Sequence, residues 1–329
     1  MSNQTPKGTG KPLVSFVVPV FNGESYVARC LLSIRNLDFP KERYEVWVMD
    51  NGSADQTHEI LRCLGFAFQV VPKVSVSALR NRAAETARGE YLAFIDSDVA
   101  VEPQWLKVGL AAFRKPGIVA VGCFPGVPRD ASWVQKTWDL HQTCNRRNCP
   151  PTSVSWLTSM NMIVRREDFL AVSGFAEQLR TAEDVDLCYR LGRRGTLLYH
   201  PHMEAVHWGE AKDLKVFWRK EVWRGMGSVE GVISHGFRWD EVPSLSYPLY
   251  VLCFTLLLGI GFSLDHGRQQ FLWTPLLIAL LILPAFFLTL TTCWRSQHFR
   301  SFHKLFVLYF VYGFARAWST AKSLRNLVA

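Results

Sequence analysis

Two stretches toward the C-terminal end leave this chain few options. Tyr247 to Leu264 is almost wholly apolar, and Phe271 to Thr292 is apolar apart from scattered threonines. A helix needs about 20 apolar residues to cross a hydrocarbon layer of about 30 Å, and each stretch supplies that length. The connector Asp265-His266-Gly267-Arg268-Gln269-Gln270 is short and polar, so the pair is expected to form a transmembrane hairpin over 247–294. A buried core helix reads the same way singly, but two such stretches back to back favour the membrane. A third apolar stretch, Leu305 to Ala315, is shorter and closed by Arg316, with Arg295, Arg300 and Lys304 before it and Lys322 and Arg325 after it. That pattern suits a basic interfacial helix within 295–329, or else a third span. The hairpin loop carries one arginine and the segment after the second stretch carries three basic residues, so the positive-inside rule puts the long N-terminal part in the cytoplasm, on a multi-pass cytoplasmic membrane protein.

The first 230 residues read as a globular α/β unit. Val14 to Val18, Glu45 to Met49, Phe68 to Val71 and Tyr91 to Ile95 are strand-like, with amphipathic helices between them: one through Ile34, one from Ser53 (a candidate N-cap), and one over Ala78–Ala87. Such alternation with short links predicts a mostly parallel, Rossmann-like sheet flanked by helices. The expected organisation is a disordered 1–12, a domain over 13–230, a linker at 231–246, the hairpin, and the basic C-terminal segment. Pro125 to Pro151 is the expected mobile excursion. The polar opening Met1–Thr5 and the short run Leu13–Val20, ended by a proline turn, do not read as a signal peptide. The eight cysteines lack zinc-site spacing and read as reduced packing residues or surface thiols. The net charge of +9 suits an anionic membrane face, and no nucleic-acid motif accompanies it.

Polar and acidic residues gather where the strands end. The first strand runs into Pro19-Val20-Phe21-Asn22-Gly23, the second into Asp50-Asn51-Gly52-Ser53-Ala54-Asp55, and the fourth into Asp96-Ser97-Asp98. In open α/β sheets that rim is where ligands bind. Two carboxylates two residues apart suit Mg²⁺ or Mn²⁺, which would in turn hold phosphate oxygens. A buried aspartate such as Asp50 needs a partner, and a ligand's ribose hydroxyl or base N–H would serve. Glu183-Asp184-Val185-Asp186, further along, is a candidate source of a general base.

These strings, with Arg80-Asn81 and Gly89-Glu90 preceding the fourth strand, resemble the family 2 glycosyltransferases of the GT-A fold over about Leu13 to Gly227. The resemblance implies a nucleoside-diphosphate-sugar donor, a divalent metal and inverting transfer. It implies a donor site of Pro19, Phe21, Asn22, Asp50, Asn51, Arg80, Asp96, Ser97, Asn161 and Glu183, with Phe21 beside the base and Asp50 reading it. It assigns Asp98, Asp96 and His207 to the metal and Asp184 to the catalytic base, with Asp186 structural. The helical stretch Phe217 to Gly225 lacks the Gln-x-x-Arg-Trp string of processive members, which argues against a polymer-extruding synthase. Arg219 or Arg224 there would reach the diphosphate or anchor at the interface. The expected activity is hexosyl transfer to a lipid-linked or glycan acceptor in cell-surface polysaccharide or glycoconjugate synthesis. Alternatives are a polyprenyl-phosphate sugar synthase and a non-catalytic, transferase-like membrane scaffold. A nucleotidyltransferase would need a glycine- and lysine-rich phosphate loop, which Val18–Gly23 lacks.

Overall fold

The computed structural model of the protein describes residues 10–143, 149–235, 242–268 and 271–328. The chain divides into two compact units, Met1–Arg129 with Arg146–Glu210, and Asp130–Asn145 with Ala211–Ala329. Residues 1–9 of the expected disordered start, Cys144 and the Gln269-Gln270 end of the connector lie outside the described residues.

In the first unit, β1 (Val14–Val20) is buried at every position, as a valine-rich strand covered on both faces must be. It pairs in parallel with β2 (Tyr44–Asp50) on one side and β4 (Tyr91–Ile95) on the other, and β3 (Phe68–Val70) extends the sheet beyond β2. β8 (Asn161–Arg165) runs antiparallel to both β4 and β6 (Ile118–Gly122), and β9 (Thr196–Tyr199) and β7 (Thr152–Ser153) complete the order β3-β2-β1-β4-β8-β6-β9-β7. The connections from β1 lead outward through β2 and β3, then return to β4 on the other flank. The chain order therefore reverses at β1/β4, which opens a crevice beyond their C-terminal ends. A second, two-stranded sheet joins β5 (Val99–Val101) to β10 (Ala205–His207) antiparallel, with His207 opposite Val99.

The helices α1 (Val27–Arg35), α2 (Thr57–Cys63), α3 (Val76–Thr86), α4 (Trp105–Ala112) and α6 (Arg166–Ala171) pack around this sheet. α2 starts at Thr57, later than expected, because Asp55 accepts from the Thr57 N–H while Ser53 is engaged elsewhere. α3 is capped by Ser75, whose Oγ accepts from the Ala78 N–H. α7 (Glu183–Gly192) begins beside Ala182, held at φ +63°, and buries Leu187, Cys188 and Leu191.

The second unit is helical: α5 (Trp133–Thr143), α8 (Leu214–His235), α9 (Val242–Arg268), α10 (Trp273–Ser296) and α11 (Phe302–Val328). Two helices, over Leu245–Gly267 and Trp273–Ser296, are long and apolar enough to span a membrane. Their large side chains point outward, with Leu256 65%, Phe262 61%, Phe287 62% and Trp294 69% exposed. Three expectations change here. The connector is mostly the end of α9, and its Asp265 carboxylate accepts the backbone N–H groups of Leu272, Trp273 and Thr274 that open α10. The first compact unit closes at Glu210, and α8 runs unbroken through the start of the expected linker; residues 236–241 lie outside the described residues. Arg316 does not close the third stretch but sits inside α11, where its Nε and Nη2 donate to the fully buried Glu221 carboxylate at 3.0 Å. Arg224 donates to the other Glu221 oxygen at 2.7 Å, so its guanidinium serves this buried cluster.

Gly89, just before β4, marks how tightly the strands are tied. A Cβ there would meet the Ser15 backbone nitrogen at 2.6 Å, beside Ser15 Oγ, which accepts from the Gly89 N–H and donates to buried Glu45. Gly89→Ala should cost about 1–3 kcal/mol through strain that backbone cannot relieve cheaply, lowering the thermal unfolding midpoint by several degrees.

Candidate active site

The loops after β1 and β2 are stitched together at the crevice. The Asn22 N–H donates to Ser53 Oγ at 2.8 Å, and Asn22 Oδ1 accepts from the Ala54 N–H at 3.0 Å. The Gly23 N–H donates to Thr57 Oγ1 at 2.8 Å. Asn22 adopts φ +48° to make this turn. The consequence is that Phe21, next to it, is 59% exposed, an aromatic face at the rim rather than a core ring. Pro19 lies within β1 and is buried there, as backbone scaffold for the turn.

Asp50 is fully buried at the end of β2. Its partners belong to the chain itself: the Gly52 and Ser53 N–H groups and His58 Nε2 at 2.9 Å, and the Ser53 hydroxyl. Burial opposes its charge, but Ser53, His58 and Gly52 outweigh it and hold the carboxyl below its usual range. The expected need for a ligand partner is therefore met internally, and His58, stacked on Phe68, carries a role that no local sequence pattern signalled. Asn51 is likewise engaged: its amide donates to the Val74 carbonyl and accepts from the Val74 N–H, pinning the loop before α3.

The centre of the site is Arg80. It is 2% exposed on α3, and its guanidinium reaches Asp96 Oδ1 at 2.6 Å through Nη2 and Glu183 Oε1 at 3.0 Å through Nη1. Arg80 also lies over the Phe175 ring at 5.2 Å. The neighbouring Asn81 clamps the Phe175 backbone, accepting from its N–H and donating to its carbonyl, both at 2.9 Å. That clamp fits only because Gly174 (φ +65°) carries no side chain; a Cβ would come within 2.5 Å of Asn81 Oδ1. One turn of α3 thus ties the end of β4 to the start of α7.

Asp98 and His207 meet because of the β5/β10 register. His207 Nε2 lies 3.1 Å from Asp98 Oδ2, and its Nδ1 lies 3.4 Å from Glu210 Oε1. Burial alone would depress the imidazole, yet Asp98 and Glu210 raise it to about 9. Glu210 was missed in the sequence, although an acid three residues after His207 was its signal. Gly209 packs so closely that a Cβ would fall on the Asp98 carboxylate. Asp96 belongs with Arg80 rather than with this pair, and among the described residues no three His, Cys, Asp or Glu side chains converge as a metal cage. Ser97 lies between the two groups and is half-buried.

Asp184 follows Glu183 in the first turn of α7. Burial, and then the adjacent Glu183 charge, push its carboxyl up to about 7; Arg80 and the backbone at Val185 and Ser159 work the other way. A carboxyl poised there suits a general base at neutral pH. Asp186 pairs with Arg190, a structural use.

Asn161 is a correction. It is fully buried; its Oδ1 accepts from Trp105 Nε1 at 2.7 Å and its Nδ2 contacts Cys123 Sγ at 2.9 Å. The β4/β8 pairing puts it opposite Ile95, one position inside the rim, so it braces α4 against β8 and β6 rather than lining the pocket.

Residues 15–172 match the family model described as Glycosyl transferase family 2. The chain carries a family 2 glycosyltransferase domain. Glycosyltransferase AglE of Haloferax volcanii is 27% identical over 232 residues, 67% of this chain and 74% of that protein. Validoxylamine A glucosyltransferase of Streptomyces hygroscopicus subsp. limoneus is 29% identical over 220 residues, 56% of this chain and 49% of that protein. This chain thus spans about half the length of the second relative. A mannosyltransferase from Pyrobaculum calidifontis, solved in complex with GDP-Man and Mn²⁺, shares the fold with a TM-score of 0.64 at 17% identity, covering 98% of this chain and 90% of that one. The glycosyltransferase domain has the expected GT-A fold.

Asn161→Ala would leave the buried Trp105 N–H unpaired, at a cost of about 1–3 kcal/mol. Thermal unfolding should therefore move down by several degrees while the KM for donor stays unchanged; a raised KM at unchanged stability would restore Asn161 to the binding site.

Proposed function

We propose that the protein is a membrane-anchored, inverting glycosyltransferase that moves a sugar from a nucleoside-diphosphate-sugar to a lipid-linked or glycan acceptor, with its catalytic domain facing the cytoplasm. The observation that carries this reading is the link from Asp184, through Glu183 and Arg80, to the strand-end acid Asp96. That link supports a base at the start of α7 working beside a diphosphate site at the end of β4.

In the proposed reaction Asp184 takes the proton of an acceptor hydroxyl as that oxygen attacks the anomeric carbon. The bond from that carbon to the diphosphate breaks on the opposite face, which inverts the configuration. Phe21 offers its exposed ring to the base, and the Asn22–Ser53 turn shapes the edge of the nucleotide crevice. Asp98 and His207 fit a divalent cation. Two donors each about 2.1 Å from one ion at a right angle lie about 3 Å apart, close to the 3.1 Å between Asp98 Oδ2 and His207 Nε2. With so few protein donors, the remaining positions suit water and substrate phosphates, as Mg²⁺ and Mn²⁺ sites of this kind use. When bound, such an ion supplies electrostatic stabilisation of the leaving diphosphate. Asp96 pairs with Arg80 and leaves the cation to Asp98 and His207.

The membrane reading is supported by the outward apolar faces of α9 and α10: only 17% and 28% of their apolar windows are buried, the reverse of a soluble core helix. The cationic residues Arg295, in the last turn of α10, and Arg300 and Lys304 after it support a cytoplasmic end there. A lipid-linked acceptor suits a transferase anchored in the membrane by such helices.

The test is donor turnover by full-length protein in detergent with Mn²⁺ and a panel of UDP- and GDP-sugars. Because Asp184 acts only when ionised, kcat/KM should rise about tenfold per pH unit below about 7 and level off above it. Asp184→Asn should lose at least about a hundredfold in kcat while still binding nucleoside diphosphate. Glu183→Gln, by removing a like charge, should move the acid limb to lower pH. An unchanged limb and full activity in Asp184→Asn would remove Asp184 from the role.

A further inference from the structure

The second unit holds a cavity of about 450 Å³ between one face of α5 and the elbow that joins α10 to α11. Trp133, Lys136 and Thr137 line it from α5 at helical spacing; His298, Ser301 and Lys304 line it from the elbow. We propose that this cavity binds the phosphate headgroup of a membrane lipid, at a site separate from the transfer centre.

The chemistry is that of a tetrahedral oxyanion receptor. Two ammonium groups, an imidazole with one nitrogen held by the Ser296 carbonyl, and two hydroxyls line it, offering several donors to a ligand. Neither lysine has a carboxylate partner among the described residues, so their charge is not cancelled locally. On the elbow side nothing cancels it, since from His266 to the end there is no Asp or Glu; on the α5 side the nearest acids are Asp130 and Asp139, neither of which lines the cavity. The cavity falls within the usual size of small-molecule sites, about 300–1,000 Å³, which exceeds what a bare inorganic ion requires.

Its position selects a lipid. α10 ends at Ser296, and the elbow residues follow within eight positions, so a span ending there sets the cavity at headgroup depth. Trp133 (40% exposed) at the mouth and Trp294 (69% exposed) in the last turn of α10 are the aromatic residues favoured at that depth. A headgroup seated between α5 and the elbow would also clamp two helices far apart in sequence. The inference rests on the membrane reading of α9 and α10, which vesicle flotation of the full-length protein tests separately.

The direct test measures binding of dihexanoyl phosphatidic acid, dihexanoyl phosphatidylcholine and inorganic phosphate to full-length protein in detergent, by calorimetry. Phosphatidic acid should bind saturably at one site per chain, and the K136Q/K304Q double variant should weaken it at least about tenfold. Lys322→Gln, which removes one positive charge from α11 outside the cavity, should change it less than about twofold, and each of K136Q and K304Q alone should weaken binding more than that. The charge-keeping K136R/K304R variant should retain binding, which separates charge loss from misfolding. Equal weakening by Lys322→Gln would reduce the effect to diffuse surface charge. Equal binding of phosphatidylcholine would remove the anionic headgroup from the proposal. Inorganic phosphate binding as tightly as phosphatidic acid would make this a free-phosphate site, and the absence of saturable binding in a protein that still floats with vesicles would remove the site while leaving the membrane reading intact.

Discussion

The site depends on one buried guanidinium. Arg80 holds Asp96, at the end of β4, and Glu183, at the start of α7, and these acids lie 87 residues apart in the chain. Without that bridge two carboxylates would face each other with little solvent to separate them, which would favour opening of the cleft. Removing one partner from a buried ion pair typically costs about 3–5 kcal/mol, because the other charge is left uncompensated. Arg80 therefore sets both the spacing of the β4 end and the α7 start and the electrostatics of each. It offsets the charge of Asp96 and restrains the rise in the Asp184 pKa that burial and Glu183 produce. Asn81, one residue on, fixes the Phe175 turn from the same helix, so α3 acts as the keel of the cleft.

Much of the architecture was legible because it rests on local periodicity. Valine-rich β1, the apolar β4 and the two long apolar stretches each announce their burial or exposure residue by residue, and the acids at strand ends follow from where carboxylates are tolerated. What periodicity does not encode is which partner a polar residue finds. Asp50 looked like a residue waiting for a ligand, yet Ser53, Gly52 and His58 already satisfy it. Asn161 looked like a pocket residue from its strand, but the antiparallel pairing of β8 with β4 and β6 turns its amide inward to Trp105 and Cys123. The Asp98–His207 meeting was expected from family resemblance alone; its cause is the register of two three-residue strands, too short for sequence to specify.

The same limit applies to the helical unit. Hydropathy located α9 and α10, whereas the ends of both were set by polar contacts: Asp265 receives the first N–H groups of α10, and α11 continues past Arg316 because Glu221 of α8 neutralises it. An arginine that reads as an interface boundary is thus the partner of a buried acid. Acids placed singly in apolar surroundings (Glu221, Asp265) are where this chain organises its helices.

The central claim is that Arg80 acts through the position and charge of Asp184. A double-mutant cycle tests it most directly, comparing Arg80→Lys in the wild-type and Asp184→Asn backgrounds by kcat/KM for sugar transfer. Lysine keeps one charge but cannot hold Asp96 and Glu183 at once. The account predicts a large loss from Arg80→Lys in wild type and little further loss once Asp184 is gone. Losses that multiply fully across the two backgrounds would show that Arg80 and Asp184 act independently, and would contradict it.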